Sequence, residues 1–153
     1  MEVVLNWKGK MKFEGAGDSG HQQWMDAEES VGGEDSASRP MEFIALGLAG
    51  CTGMDVISIL RKKQQNVTDF QVKVHADRAS EHPKVFSNAV IEYLVTGKNV
   101  DEAALVRAIG LSAEKYCPAQ AMLTKAFPIH LVYKIYDEEK LLVKEGEYKK
   151  RTG

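Results

Sequence analysis

Pro40-Met41-Glu42-Phe43-Ile44-Ala45-Leu46-Gly47-Leu48-Ala49-Gly50-Cys51-Thr52-Gly53-Met54-Asp55-Val56 is the most apolar stretch of the chain. It predicts a long helix from Pro40 to about Lys63. Proline is favoured at the first helical position because the N–H it lacks would be unpaired there. Ser38 or Arg39 then stands at the cap, serine being the better cap by chemistry. Arg61-Lys62-Lys63 suit the negative C-terminal end. The run Phe43 to Leu60 reaches the length of a membrane span. Asp55 opposes that reading, since a mid-span carboxylate costs roughly 2.5–3.5 kcal/mol on insertion. The expectation is a helix buried in the core of a soluble protein. Gly47, Gly50 and Gly53 fall near one side of it, beside Cys51. Each glycine costs roughly 1 kcal/mol relative to alanine. Their expected purpose is the close approach of another backbone, such as a second helix crossing this one.

Outward from the helix, the pattern becomes that of strands. Val3 to Trp7, Lys10 to Glu14 and His21 to Asp26 read as strands, with Lys8-Gly9 as a turn and Gly15 to Gly20 as a loop. Glu28 to Ser38 is acidic and aperiodic, and is expected to be a mobile connection. Thr68 to Arg78 alternates, with Phe70, Val72, Val74 and Ala76 on one face. Val85 to Thr96 is a second long strand, joined to the first across Ser80-Glu81-His82-Pro83. Asp101 to Tyr116 predicts a helix with Ala104, Leu105, Ala108, Ile109 and Leu111 on its apolar face. Pro118 to Lys125 is a short helix, and Phe127 to Asp137 a last strand carrying Ile129, Leu131, Tyr133 and Ile135 on one face. The charged tail Glu138 to Gly153 is expected to fray. Strands and helices do not alternate as βαβ units, so the class is α+β with a mainly antiparallel sheet. One domain spanning residues 1–153 is expected.

A net charge of -2 gives no basic surface for nucleic acid. Two cysteines are too few for a secreted disulfide scaffold, and the N-terminus lacks the basic and apolar regions of a signal peptide. The expected address is cytoplasmic, with no membrane partner. His21, His75, His82 and His130 show no metal-ligand spacing, so no metal is expected. Gly15-Ala16-Gly17-Asp18-Ser19-Gly20 has the outline of a phosphate loop, but no long helix follows it. Trp7 and Trp24 read as core or interface residues.

Cys51 and Cys117 carry the chemistry. A thiol acts as nucleophile or redox centre, and two thiols store an oxidation as a disulfide. Cys51 also reads as a small core hydrophobe, and a mid-helix position gives its thiolate no help from the dipole. Cys117 precedes Pro118, so it stands either at the N-cap of the short helix or at the end of the preceding one. An N-cap position lowers a thiol pKa, which by local physics makes Cys117 the more acidic of the two.

"RPMEFIALGLAGCTGMDVISIL", with its cysteine 66 positions before that of "YCPAQAML", resembles the OsmC/Ohr family of osmotically inducible and organic hydroperoxide resistance proteins. The resemblance covers both cysteine motifs, their spacing and the element order. It implies an OsmC-like fold, an intertwined homodimer with a long buried central helix in each subunit, and active sites at the interface. It implies thiol-dependent reduction of organic hydroperoxides, with Cys51 peroxidatic and Cys117 resolving. The implied partners are a hydroperoxide substrate and an external dithiol reductant, such as a lipoyl protein or a thioredoxin-like protein, with no bound cofactor. The family also supplies an arginine and a glutamate. Its Pro-Glu pair falls here on Pro40-Met41 with the glutamate one place later, at Glu42, and no arginine precedes Arg39. Arg39 is the substitute candidate, and the departures resemble a less typical branch. Glu42 and Cys51 are nine residues apart, about 13.5 Å of rise and on opposite faces of a straight helix, so a shared site requires a second subunit. Glu42 also suits a helix's first turn without any chemistry. Phe43, Leu46, Met54 and Met122 are candidates to line a slot for the organic part of the peroxide. Two non-enzymatic classes fit the same residues: a small-ligand-binding dimer, and a redox-sensing one.

Overall fold

The computed structural model describes residues 1–150, and the chain divides into two units, residues 1–45 and from residue 46 onward. In the first, Lys8 and Lys12 close a wide turn through Lys8 N–H to Lys12 O (2.9 Å) and Lys12 N–H to Gly9 O (2.9 Å). Gly9 supplies the left-handed backbone this turn needs, at φ 103°. The wider turn delays the second strand by three residues from its expected start. The strands are β1 (Val3–Trp7), β2 (Phe13–Gly17) and β3 (Gln22–Met25), antiparallel in that order. Gly15 to Gly17, expected as loop, therefore lie in a strand. Trp7 is exposed, with its indole N–H on Lys10 O (2.8 Å).

The acidic connection is tied down, contrary to expectation. The buried carboxylate of Asp26 accepts Ala27 N–H (2.8 Å), Glu34 N–H (3.2 Å), Ser36 N–H (3.1 Å) and the Ser36 hydroxyl (2.7 Å). The Ser36 hydroxyl, and then the backbone donors, hold its pKa well below the ordinary carboxylate range. Glu29–Val31 forms a 3-10 turn inside this loop. Ser38 bridges to Met25, and Arg39, the second of the two expected cap candidates, takes the position before helix α1 (Pro40–Lys62). Glu42 reaches back to the Arg39 N–H (3.0 Å), as the third residue of a capping box does.

Four strands make the sheet of the second unit: β4 (Asn66–Arg78), β5 (Phe86–Lys98), β6 (Ile129–Tyr136) and β7 (Leu142–Tyr148), in that order. β4–β5 and β6–β7 are antiparallel and β5–β6 is parallel. A parallel pair needs a crossover. Helix α2 (Glu102–Leu111), a π-helical turn (Ser112–Tyr116) and helix α3 (Pro118–Leu123) supply it. The single helix expected to Tyr116 thus widens at Ser112, where Cys117 N–H bonds to Ser112 O (2.9 Å), five residues back.

The tail expected to fray contains β7. Asp137 turns the chain by accepting Leu141 N–H (2.8 Å), and the charged residues then pair with β6 through their backbone. Arg151 to Gly153, the rest of that expectation, lie outside the described residues.

The alternation of β5 and β6 puts Ile91, Tyr93, Val95, Leu131, Tyr133 and Ile135 on the core face. Leu48, Val56 and Leu60 of α1, and Leu105, Ala108 and Ile109 of α2, join them. Full burial contributes about 1.5–3 kcal/mol for a residue such as Leu60. Gly53 faces this sheet: a Cβ there would lie 3.2 Å from Val72 Cγ2. Its purpose is the approach of a strand, where a helix was expected. Apart from their chain neighbours and their own helix backbone, Gly47 and Gly50 have no atom of the described residues within 4 Å of a Cβ position.

Candidate active site

Cys51 sits one residue before the buried face of α1, and Cys117 caps α3. Both are free thiols; Cys51 is half-buried and Cys117 is 2% exposed. The two thiols lie close enough to perturb each other, although they stand 66 positions apart in the chain. Cys117 Sγ accepts the backbone N–H of Gln120 (3.4 Å), as an N-cap atom does. The cap was expected to make Cys117 acidic. Instead the thiol is pushed up to about 12. Burial is the largest cause, the hydrogen bond with Cys51 comes next, and the amides that favour the thiolate are outweighed. A six-residue helix offers too little dipole to reverse a full desolvation.

A buried polar cluster adjoins the thiols. Thr52, Tyr93 and Ser112 have no exposure, and Gln120 has almost none. Thr52 Oγ1 lies 2.6 Å from Tyr93 OH and 2.9 Å from Ser112 Oγ. Gln120 Nε2 donates to Thr52 Oγ1 (2.9 Å), and the Ser112 hydroxyl donates to Asp55 Oδ2 (2.9 Å). Each hydroxyl has one proton to give. Ser112 gives its own to Asp55, so Thr52 donates to Ser112 and Tyr93 donates to Thr52. The half-buried Asp55 therefore sets the direction of every bond in the chain. Asp55 also borders a cleft of about 350 Å³ with Ser58, Lys62 and Tyr116. Burial pushes the Tyr93 hydroxyl up to about 12. Sequence reasoning did not select this cluster. Its signal was present: Thr52 falls between Leu48 and Val56 on the apolar phase of α1, and Tyr93 on the apolar phase of β5. A polar atom at such a position needs a partner.

Among the remaining candidates, Arg39 and Glu42 come together, with Arg39 Nη1 3.6 Å from Glu42 Oε1. Arg39 also pairs with Asp35 (2.8 Å) and Glu28 (3.4 Å). Met54 lines an open cleft of about 420 Å³ with Ile57, Ser58, Arg61 and Lys62. Leu46, Met54 and Met122 are 57%, 74% and 65% exposed, and Phe43 is half-buried. No group of three or more His, Cys, Asp or Glu within reach of one metal ion occurs among the described residues.

Comparison with known proteins gives a consistent result. The family profile described as OsmC-like protein matches residues 33–132. Protein YhfA of Escherichia coli K12 is 38% identical over 135 residues, which is 88% of this chain and 98% of that protein. The crystal structure of a hypothetical protein from Aquifex aeolicus VF5 is 31% identical with a TM-score of 0.78, covering 90% of this chain and 96% of the other. An organic hydroperoxide resistance protein OsmC from Legionella pneumophila shares the fold at 13% identity and a TM-score of 0.61, covering 88% and 96% of the two chains.

Proposed function

The chain belongs to the OsmC-like protein family, and from that premise we propose that it is a thiol-dependent organic hydroperoxide reductase working through Cys51 and Cys117. The observation that carries the reading is the pair of interacting free thiols, one member half-buried and the other sealed. Solved structures of the same fold include proteins named for organic hydroperoxide resistance, which agrees with this chemistry.

The Cys51 thiolate attacks the distal peroxide oxygen. The O–O bond breaks, the sulfur loses two electrons, the hydroxyl stays on it as a Cys51 sulfenic acid, and the alkoxide leaves and takes a proton from water to become the alcohol. Cys117 then attacks that sulfur. An S–S bond forms, the S–O bond breaks, and the Cys117 proton leaves with the hydroxyl as water. An external dithiol, the proposed reductant, reduces the disulfide by exchange and is itself oxidised. The raised pKa of Cys117 supports this order, because a buried neutral thiol is a poor first nucleophile. Arg39, with Glu42 beside it, is assigned the cation that favours the Cys51 thiolate. Leu46, Met54, Phe43 and Met122 are assigned to the organic part of the substrate.

The working form is proposed to be a homodimer. Phe43, Gly47, Gly50, Met54 and Ile57 recur at four- and three-residue steps along α1, the spacing of a helix-packing seam. The open space over Gly47 and Gly50 supports a helix of a second subunit there. A redox sensor is the alternative reading, favoured by the three carboxylates that already neutralise Arg39.

The test is consumption of cumene hydroperoxide coupled to dihydrolipoamide or dithiothreitol, with free thiols counted in parallel. The expected result is catalytic turnover, abolished in Cys51→Ser, with loss of two thiols when the reductant is omitted. Stoichiometric thiol loss without turnover would establish the sensor. No consumption and no thiol loss would reject both.

A further inference from the structure

The side chain and the backbone of Gln120 reach the two halves of the thiol pair separately. Its backbone N–H holds Cys117 Sγ (3.4 Å). Its side-chain amide crosses to α1 and donates to Thr52 Oγ1 (2.9 Å), the residue next to Cys51. The same amide group lies 3.5 Å from Tyr93 OH. A second tie runs through Ser112, whose Oγ meets Thr52 (2.9 Å) and whose carbonyl holds the Cys117 N–H (2.9 Å). The loop is closed: Cys117, Gln120, Thr52, Ser112 and back to Cys117. The π-helical turn is part of it, since that turn lets Ser112 O meet the amide five residues on. Asp55 fixes the direction of the hydroxyls, which leaves Thr52 Oγ1 free to accept from Gln120. The position of Gln120 is further fixed by the Thr124 hydroxyl on its carbonyl (2.7 Å).

We propose that Gln120 is a positioning residue for the disulfide-forming step: it fixes Cys117 against the turn of α1 that carries Cys51, and Thr52 and Ser112 are the anchor. The proposal rests on the thiol reading above for its chemistry. Two sulfurs form a bond only over a narrow range of separation and dihedral angle. In the reduced protein they are held by a weak contact between thiols. Burial alone does not set their mutual orientation, because Cys117 rides on a helix of only six residues. The crossing amide bond does. Gln120 does not touch peroxide in this account, and the first oxidation at Cys51 draws on other groups.

The experiment follows both steps in one protein sample. Purified full-length chain is mixed with cumene hydroperoxide, Cys51 sulfenic acid is trapped with dimedone at timed intervals, and the Cys51–Cys117 disulfide is counted by mass spectrometry. Gln120→Met keeps the length of the side chain and removes its polar atoms. It is expected to lower the ratio of the disulfide-forming rate to the sulfenylation rate by about tenfold or more, in line with the cost of small misplacements. Sulfenic acid accumulates, and sulfinic acid appears at high peroxide. Thr52→Val, which removes the same bond from the other side, is expected to reproduce the effect, and Thr52→Ser to rescue it. A ratio within about twofold of the parent in Gln120→Met and Thr52→Val, together with an unchanged dithiol–disulfide equilibrium, overturns the proposal. So does an equal loss in Thr52→Val and Thr52→Ser, which marks a packing effect.

The equilibrium between the two thiols and oxidised dithiothreitol is measured in the same variants, and needs no peroxide. Weaker disulfide formation in Gln120→Met by about tenfold upholds the positioning role even if cumene hydroperoxide never oxidises Cys51. That last result would fail the peroxidase reading alone. An unchanged equilibrium together with an unchanged ratio fails the positioning role alone. If Gln120→Met does not fold, the Thr52 pair decides by the same criteria.

Discussion

Removing the Cys51 side chain should lower the pKa of Cys117 without returning it to normal. The ordinary thiol value of 9.0 is raised to about 12, by burial first and by the hydrogen bond with Cys51 second, the Cys51 charge adding less. In Cys51→Ala the burial remains and both Cys51 contributions are lost, so the value falls but stays above 9.0. At pH 8 a thiol titrating at 9.0 is about one-tenth thiolate, and one titrating near 12 about one part in ten thousand. Ionisation alone thus slows alkylation of Cys117 about a thousandfold relative to the unfolded chain. The assay is iodoacetamide labelling read by mass spectrometry from pH 7 to 10.5 in the native protein, in Cys51→Ala and in urea. The pH dependence is the readout, because steric access changes a rate but not its midpoint. The logarithm of the Cys117 rate should climb by one unit per pH unit throughout in the native protein. In Cys51→Ala it should bend at lower pH, and in urea near 9.0. A native plateau below pH 9 would refute the reasoning and restore the cap as the dominant influence. An identical profile in Cys51→Ala would show that the two thiols do not interact.

Three other outcomes are expected. The Tyr93 hydroxyl is raised from 10.0 to about 12, so the unfolded chain releases this proton first and the stability tied to it, complete below pH 10, is lost as pH rises towards 12. Urea titrations should show wild type losing about 1.4 kcal/mol per pH unit relative to Tyr93→Phe above pH 10, and a difference independent of pH from 7 to 9 would accompany it. Gly50→Leu should fold, because the position is open in the single chain, and should sediment as a monomer at micromolar concentration where the parent sediments as a dimer; a monomeric parent would remove the dimer. Arg39→Ala should slow peroxide oxidation of Cys51 by about tenfold in a Cys117→Ser background, and Glu42→Ala by less, read by stopped-flow single turnovers; unchanged rates in Arg39→Ala would assign the cation elsewhere.

The elements with strong local signals were legible in the sequence. Pro40 and the basic close at Arg61-Lys62 bounded α1, period-two alternation found the core faces of β4 and β6, and the apolar run from Val85 to Thr96 marked β5 as a strand. β7 was missed because an edge strand is held by its backbone. Lys144, Glu145 and Glu147 need no apolar phase to pair with Ile135, Lys134 and Val132. The loop after Asp26 was read as mobile because its composition is acidic, and composition does not show that one buried carboxylate gathers four donors. The widening at Ser112 left no mark in the apolar spacing of α2, since it begins where that spacing ends.

By itself the sequence determined which groups are the candidates for chemistry: two thiols, one inside a long apolar helix and one at the helix boundary before Pro118. Those features depend on neighbours within a turn or two, where capping, proline geometry and periodicity operate. It also determined the family, through two motifs at a fixed separation. Only the tertiary structure decided that the thiols come together, that burial raises the pKa of Cys117 instead of the cap lowering it, and that Thr52, Tyr93, Ser112 and Gln120 form a buried cluster beside them. The physical reason is range. Desolvation is set by whatever packs against a group, and the groups that interact with Cys117 include Cys51 and Tyr93, at chain positions beyond the reach of any local signal.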